Sequence, residues 1–226
     1  MTVPARRTRV DVGAASVTYL PDGSGVFDPA VVFPANRGDA WTQESGLLDA
    51  DGRLTMSFGA FLDRTGSRRI LVDLAMGPAD FAVPGLGQIR GGTLLSSLAD
   101  EGLAPSDVDT VVFTHLHPDH VGWTTTRVSD PNNATGQVGT ALTFPAARHL
   151  VGRQEWAHWS GGSQPGGPDP TAVVAPLSGV IELVDDGTMV GPGVHVRAAP
   201  GHTPGHLCVV VTDPAGGTTP TRRDRR

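Results

Sequence analysis

One short stretch of the sequence concentrates residues that bind metal ions. Residues 114–120 read THLHPDH, and His115 and His117 are two positions apart, so an extended backbone directs both imidazoles to the same side. Pro118 favours an extended His117, and a turn after it brings Asp119 and His120 back toward the same point. Neutral imidazole and carboxylate suit Zn²⁺, and also iron, cobalt or manganese. The stretch therefore predicts a site for a divalent metal ion.

A second histidine-containing turn lies further along the chain. Residues 200–206 read PGHTPGH, with His202 and His206 among glycines and prolines that fix an unusual backbone path. A single histidine is usually a structural residue, but these two motifs hold five of the eight histidines. Both motifs follow predicted strands, which favours a metal site over five independent structural roles.

The elements that would position the first motif form a strand–helix–strand unit. Arg69–Asp73 is predicted to be a strand, a helix capped by Thr93 ends before Gly102, and the apolar run Asp109–Thr114 is typical of a strand buried on both faces. Such a unit is parallel and right-handed, and ligand sites lie at the carboxyl ends of its strands. The first motif begins at such an end.

The rest of the chain is predicted to be strands joined by turns, and the Gly/Pro-rich residues 21–46 and 77–92 are predicted to be irregular or loop. The predicted elements are strands Arg9–Asp11, Ser16–Tyr19, Leu54–Leu62, Arg148–Gly152, Val180–Val184, Val194–Ala198 and Leu207–Thr212, and a helix Arg153–Trp159. Cys208, within the last strand, is predicted to be buried core. We expect one domain over residues 1–212 and a disordered Arg-rich tail over residues 213–226.

Composition excludes several classes of protein. The chain has 226 residues and a net charge of −6, which argues against a nucleic-acid binder with a basic surface. One cysteine excludes a disulfide framework and a Cys-rich zinc site. No apolar stretch is long enough for a transmembrane helix, and the N-terminus is unlike a secretory signal, so we expect a cytoplasmic protein without membrane partners.

Together the two motifs carry a family resemblance. H-x-H-x-D-H followed by G-H-T-P-G-H, within ILVDLAMGP, DVDTVVFTHLHPDHVGW and APGHTPGHLCVVV, resembles the metallo-β-lactamase superfamily over about Val17 to Thr212. The sequence is most similar to the branch of lactonases, glyoxalase-II-like thioesterases and organophosphate hydrolases. The resemblance implies an α/β fold, the αββα sandwich of that superfamily.

The resemblance also implies a role for each residue of the motifs. His115, His117 and His202 would bind a first metal ion, and Asp119 and His120 would bind a second. Asp73 and His206 would support these ligands from behind. Asp119 would be catalytic, orienting a metal-activated hydroxide and taking its proton. The implied cofactor is one or two zinc ions, and the implied substrate is a small ester, lactone, thioester or phosphotriester; a homodimer is compatible with it.

The sequence departs from the family pattern after the second motif. The pattern needs a bridging Asp and a last His there, but no histidine follows His206, and Asp213 comes too soon. Asp224 lies in TRRDRR, which is not a strand pattern. The sequence therefore predicts an incomplete second half of the sandwich, as in a C-terminally truncated chain. The alternative to an active hydrolase is a catalytically impaired, metal-binding fragment.

Overall fold

The computed structural model describes residues 4–35, 41, 45–129 and 138–215. Its strands are β1 Thr8–Val12, β2 Ala15–Phe27, β3 Leu54–Thr65, β4 Arg68–Val72, β5 Ala79–Val83, β6 Gly87–Gly91, β7 Thr110–Phe113, β8 Thr125–Ser129, β9 Val138–Leu142, β10 Arg148–Gly152, β11 Ile181–Val184, β12 Met189–Gly191, β13 Val194–Ala198 and β14 Leu207–Val211. Its helices are α1 Pro29–Val32, α2 Leu94–Ala99, α3 Pro118–Val121, α4 Arg153–Trp159 and α5 Ala175–Leu177, with short 3₁₀ turns at Ser45–Leu47 and Pro105–Asp107 and a π-turn at Pro170–Val174.

A large mixed sheet forms the centre of the fold. Its strand order is β11-β10-β7-β4-β3-β2-β6-β5, and β1 pairs with β2. Strands β4, β7, β10 and β11 pair in parallel, whereas β2, β3, β5 and β6 pair antiparallel. The predicted strand–helix–strand unit is confirmed, because β4 and β7 are parallel neighbours joined through α2. β7 therefore lies in the interior of the sheet with its carboxyl end free to carry a site.

Both faces of the parallel strands are covered. On β7, Val111 and Phe113 pack with Leu94 and Leu98 of α2 in one core cluster, while Val112 packs in a second cluster. That second cluster lies between the large sheet and a three-stranded antiparallel sheet of order β12-β13-β14. Burial on both faces explains the uninterrupted apolar run of β7. The layers are thus helices, large sheet and small sheet, and the expected α/β fold class is confirmed.

The prediction that Cys208 is buried is wrong. Its thiol is exposed, because Cys208 lies on the opposite face of β14 from Leu207, Val209 and Val211, which pack toward the large sheet. A sequence of five apolar residues does not show which side of such a strand faces the core.

Two further predictions of irregular structure are wrong. β2 continues through Pro21 to Phe27, with a shift of register between Pro21 and Gly23, and β5 and β6 form a hairpin within residues 79–91. Gly87 in that hairpin is needed for close approach, since a Cβ there would lie 2.0 Å from the carbonyl oxygen of Val26. The glycines in this region therefore permit tight strand packing instead of marking a loop.

The predicted tail is described only at its start. Asp213 accepts hydrogen bonds from the backbone N–H groups of Ala14, at 3.2 Å, and Ala215, at 3.0 Å, so this residue contacts the β1–β2 turn. Residues 216–226 lie outside the described residues. Among the residues described, no helix is long and apolar enough to cross a membrane.

Candidate metal centre

The first histidine motif begins where β7 ends. His115 is buried, with 3% of its surface exposed, and His117 is extended at φ −66° and ψ 154°. Pro118 then begins the one-turn helix α3, where its missing N–H is not needed. The predicted extended His117 followed by a turn is what the structure contains.

The second motif is tied directly to the first. The backbone N–H of Leu207 donates to the carbonyl oxygen of Thr114 at 2.9 Å, which places His202 and His206 beside the end of β7. Gly205 allows this approach, because a Cβ there would lie 2.0 Å from the backbone nitrogen of Glu155. The two motifs, distant in sequence, thus meet at one edge of the sheet.

Three imidazoles converge there. One ligand atom from each of His115, His117 and His202 lies within 4.8 Å of the others, and Nδ1 of His117 lies 3.0 Å from Nε2 of His202. Two donors bound to one tetrahedral zinc ion at about 2.0 Å lie roughly 3.3 Å apart. The Nε2 atom of His115 is buried and has no hydrogen-bond partner among the described residues. The three residues therefore fit a single metal ion, which would satisfy this buried nitrogen.

The surroundings of His115 and His117 favour their neutral forms. Burial, together with the neighbouring histidines, lowers the pKa of His115 to about 2. Burial and His202 lower the pKa of His117, and the same two causes lower the pKa of His206. Only the neutral imidazole offers a lone pair to a metal ion. His115 and His117 are therefore in their metal-binding protonation state at neutral pH.

Asp73 holds the other side of the site. Its carboxylate accepts hydrogen bonds from Thr114, at 2.7 Å from both the backbone N–H and the hydroxyl, and pairs with Nδ1 of His120 at 2.8 Å. Burial opposes protonation of His120, but the hydrogen bond and charge of Asp73 outweigh it and raise the pKa of His120. Asp73 adopts φ +62°, a strained conformation for a non-glycine residue, which these contacts maintain.

The remaining predicted site residues surround the cluster. Asp119 is partly exposed, with Oδ2 3.5 Å from Nε2 of His120. The rings of His120 and His206 lie 4.0 Å and 5.0 Å from that of His115, centre to centre. The structure thus brings together all seven residues that the sequence assigned to the site.

Two buried tryptophans lie near the site and make different contacts. Trp123 packs in the helix-side core, and its indole N–H donates to Asp22 at 2.8 Å. Trp159 is also buried, and its ring lies 5.6 Å from that of His117 in an edge-on arrangement. Trp123 is therefore a core packing residue, whereas Trp159 packs against the ring of the candidate ligand His117.

Sequence reasoning missed Glu155. This fully buried carboxylate accepts hydrogen bonds from both histidine-containing loops. A glutamate four residues before Trp159 on a short helix places a charge on the same side as a large apolar ring. That juxtaposition is a local signal of a buried carboxylate.

A cavity of about 460 Å³ opens beside the cluster. Its polar lining includes Asp73, Asp119 and His120, and its aromatic lining is Tyr19, Phe58 and Phe61. The cavity combines aromatic surface with the polar end of the site, which is the common composition of a small-molecule pocket.

Fold and site together define a class. A sandwich with clustered imidazoles on the loops after two of its strands is a metal-binding α/β domain. The family model described as "Metallo-beta-lactamase superfamily" matches residues 60–219, which include every predicted metal ligand. The chain belongs to this superfamily, as its motifs predicted.

Individual relatives agree with this assignment. "Metallo-beta-lactamase domain-containing protein 1" of Mus musculus is 44% identical over 120 residues, which cover 49% of this chain and 40% of that protein. The chain thus matches less than half the length of this curated relative. Among solved structures, the dizinc quorum-quenching lactonase AidC has a TM-score of 0.69 at 22% identity, over 91% of this chain and 70% of that one. A probable metal-dependent hydrolase from Staphylococcus aureus has a TM-score of 0.70 at 19% identity, over 90% and 70%.

Proposed function

We propose that this chain is a metal-dependent hydrolase of small-molecule esters, lactones, thioesters or phosphotriesters. The observation that carries the proposal is the cluster of His115, His117 and His202, with a buried Nε2 atom that lacks a partner. Membership of the superfamily supports it, as does the likeness in fold to a dizinc lactonase. A lactone is accordingly the first substrate to test.

These three histidines would hold the metal ion. Zinc suits a set of neutral imidazoles best, and iron, manganese and cobalt also accept it. When bound, a divalent ion supplies a nucleophile at neutral pH by lowering the pKa of water to about 7, and it polarises the substrate oxygen. Asp119 and His120 remain the predicted ligands of a second ion.

The chain's own side chains would do the rest. We assign Asp119 the acceptance of the proton released during attack, because its carboxylate is accessible and borders the cavity. Asp73 fixes the ring of His120 by binding Nδ1, which leaves Nε2 directed toward Asp119. Tyr19, Phe58 and Phe61 would cover the apolar part of the substrate.

The test combines metal content with turnover. The purified protein, loaded with Zn²⁺ and freed of excess, is expected to retain one or two ions and to hydrolyse an N-acyl homoserine lactone or an aryl ester. A chelator is expected to abolish turnover, and added Zn²⁺ to restore it. His202→Ala should lose both metal and turnover, whereas the matched variant His195→Ala, altered within β13, should keep both.

Two results would contradict the proposal. Retention of metal with turnover no faster than that of free Zn²⁺ would favour the alternative, a metal-binding chain without catalysis. Failure to retain metal would show that the three histidines do not form a metal site. A cytoplasmic location without nucleic-acid or membrane partners remains a prediction from the sequence, and a homodimer remains compatible with the family resemblance.

A further inference from the structure

Glu155 joins the two histidine-containing loops through one carboxylate. Its Oε1 atom accepts from the backbone N–H of Leu116 at 3.0 Å and from the indole N–H of Trp159 at 2.7 Å. Its Oε2 atom accepts from the hydroxyl of Thr203 at 2.6 Å and from the backbone N–H of Gly205 at 3.1 Å. The side chain is fully buried, so all four bonds are shielded from water.

The four donors stand next to the candidate ligands. Leu116 lies between His115 and His117, and Thr203 and Gly205 lie between His202 and His206. The two oxygens of Glu155 therefore hold two loops at one separation. The 3.0 Å distance between His117 Nδ1 and His202 Nε2 spans the same junction.

The contact with Trp159 also links Glu155 to the orientation of the His117 ring. The indole that donates to Oε1 is also the ring against which the imidazole of His117 packs, with ring centres 5.6 Å apart and planes at 69°. Glu155 thus fixes both the backbone beside His117 and the surface that its ring rests on.

Asp22 offers a matched comparison within the same molecule. It is also fully buried, and it also accepts four hydrogen bonds. Three reach Oδ1, from Gly92 N, Leu94 N and the indole of Trp123, and one reaches Oδ2 from Gly77 N. None of these donors flanks His115, His117 or His202.

We infer that Glu155 is a positioning residue for the metal centre, which sets the distance between the His115–His117 loop and His202 by bonding to both loops. The inference rests on the proposed function insofar as that function requires a metal ion at the three histidines. Partners that orient ligands from behind typically change metal affinity by about 10–100-fold when they are removed.

The experiment compares Glu155→Gln with Asp22→Asn. Each substitution keeps the shape of the side chain but replaces one acceptor oxygen with an NH₂ group, so both should lower the melting temperature of the metal-free protein by about 5 °C. Zn²⁺ affinity, measured by competition with a chromogenic chelator, should fall about 10–100-fold in Glu155→Gln and stay within about threefold in Asp22→Asn. The visible spectrum of bound Co²⁺ should change only in Glu155→Gln.

Equal affinity in wild type and Glu155→Gln would overturn the inference, as would an equal loss in Asp22→Asn. If the wild type itself retained no metal, the proposed function would fail first; if it retained metal and Glu155→Gln matched it, only this inference would fail.

A second pair of variants covers the case in which Glu155→Gln does not fold. Thr203→Val removes one donor to Oε2, whereas Thr203→Ser keeps the hydroxyl. Thr203→Val should weaken Zn²⁺ binding about 3–10-fold, less than Glu155→Gln because the other three bonds to Glu155 remain, and Thr203→Ser should not weaken it. Indistinguishable affinities in this pair would also overturn the inference.

Discussion

Buried carboxylates on the two sides of the large sheet differ in how many hydrogen bonds they accept. At the metal-site edge and on the helix side, Glu155 and Asp22 each have four hydrogen-bond donors. On the side of the small sheet, Asp63 is 1% exposed, and neither of its oxygens has a partner among the described residues. Burial raises the pKa of Asp63 to about 6.

The surroundings of Asp63 explain the difference. It borders a cavity of about 450 Å³ whose other walls are largely apolar, including Val17, Val72, Val209 and Val211. Among the residues that the structure describes, no donor reaches the oxygens of Asp63, whereas the donors around Glu155 come from the two histidine-containing loops and from Trp159. The contrast shows that two of the buried carboxylates join separate segments through hydrogen bonds, whereas Asp63 carries an uncompensated cost of burial.

The largest expected effect is that of Glu155→Ala. The substitution leaves four buried donors without an acceptor, and each such loss costs about 1–3 kcal/mol, so the free energy of unfolding should fall by at least about 4 kcal/mol. Urea denaturation of the metal-free protein measures this. A loss below about 1 kcal/mol would show that the bonds of Glu155 contribute no more than those of a surface residue.

Asp63→Asn should have the opposite sign. Because the pKa of Asp63 is raised from 3.8 to about 6, the folded state keeps a proton that the unfolded state releases, and stability falls as pH rises from about 4 to 6. The variant lacks this penalty and should be more stable than wild type by about 2–3 kcal/mol at pH 8. Near pH 3.5, where the carboxyl is protonated in both states, the gain should vanish. Urea denaturation of both proteins across this pH range measures the difference in stability. A variant less stable than wild type at pH 8 would contradict the prediction, since it would mean that the Asp63 carboxylate has a stabilising partner.

Asp73→Asn should have a moderate, pH-dependent effect. Asp73 raises the pKa of His120, so this pair stabilises the fold below pH 6.5 and loses that contribution as pH rises through the raised pKa. The variant should lose about 1–2 kcal/mol at pH 6 and less at pH 9. NMR titration of the metal-free variant should show a lower pKa for His120 than in wild type. An unchanged pKa would show that the Asp73 carboxylate does not stabilise the protonated imidazole.

The smallest effect is expected at Cys208. Its thiol is exposed, so Cys208→Ser should change the free energy of unfolding by no more than about 0.5 kcal/mol. As the sole cysteine, it should react with a thiol reagent in the folded protein at a rate near that of the unfolded chain. Strong protection of the thiol from the reagent would show that Cys208 is buried, as the sequence predicted.

The sequence predicted features whose cause is local. The histidine spacing, the extended residue before Pro118 and the apolar run of β7 all follow from short-range rules, and they suffice to identify the family and to group the site residues. The unpredicted features depend on distant partners. Three of the four donors to Glu155 are 39 to 50 residues away, and the β5–β6 hairpin depends on β2, far earlier in the chain. The outward face of Cys208 depends on the packing of a whole sheet.

The distance along the chain between His117 and His202 has a consequence for the order of folding. The two residues are 85 positions apart, and the loop that carries His202 is held at the end of β7 by Leu207, in the last described strand. Closing so long a loop has a substantial entropic cost before any contact compensates it. During synthesis, a nascent chain that has not reached residue 202 holds only two of the three imidazoles. Tight metal capture therefore becomes available only to a chain in which β14 has docked beside β7, and it would report that docking.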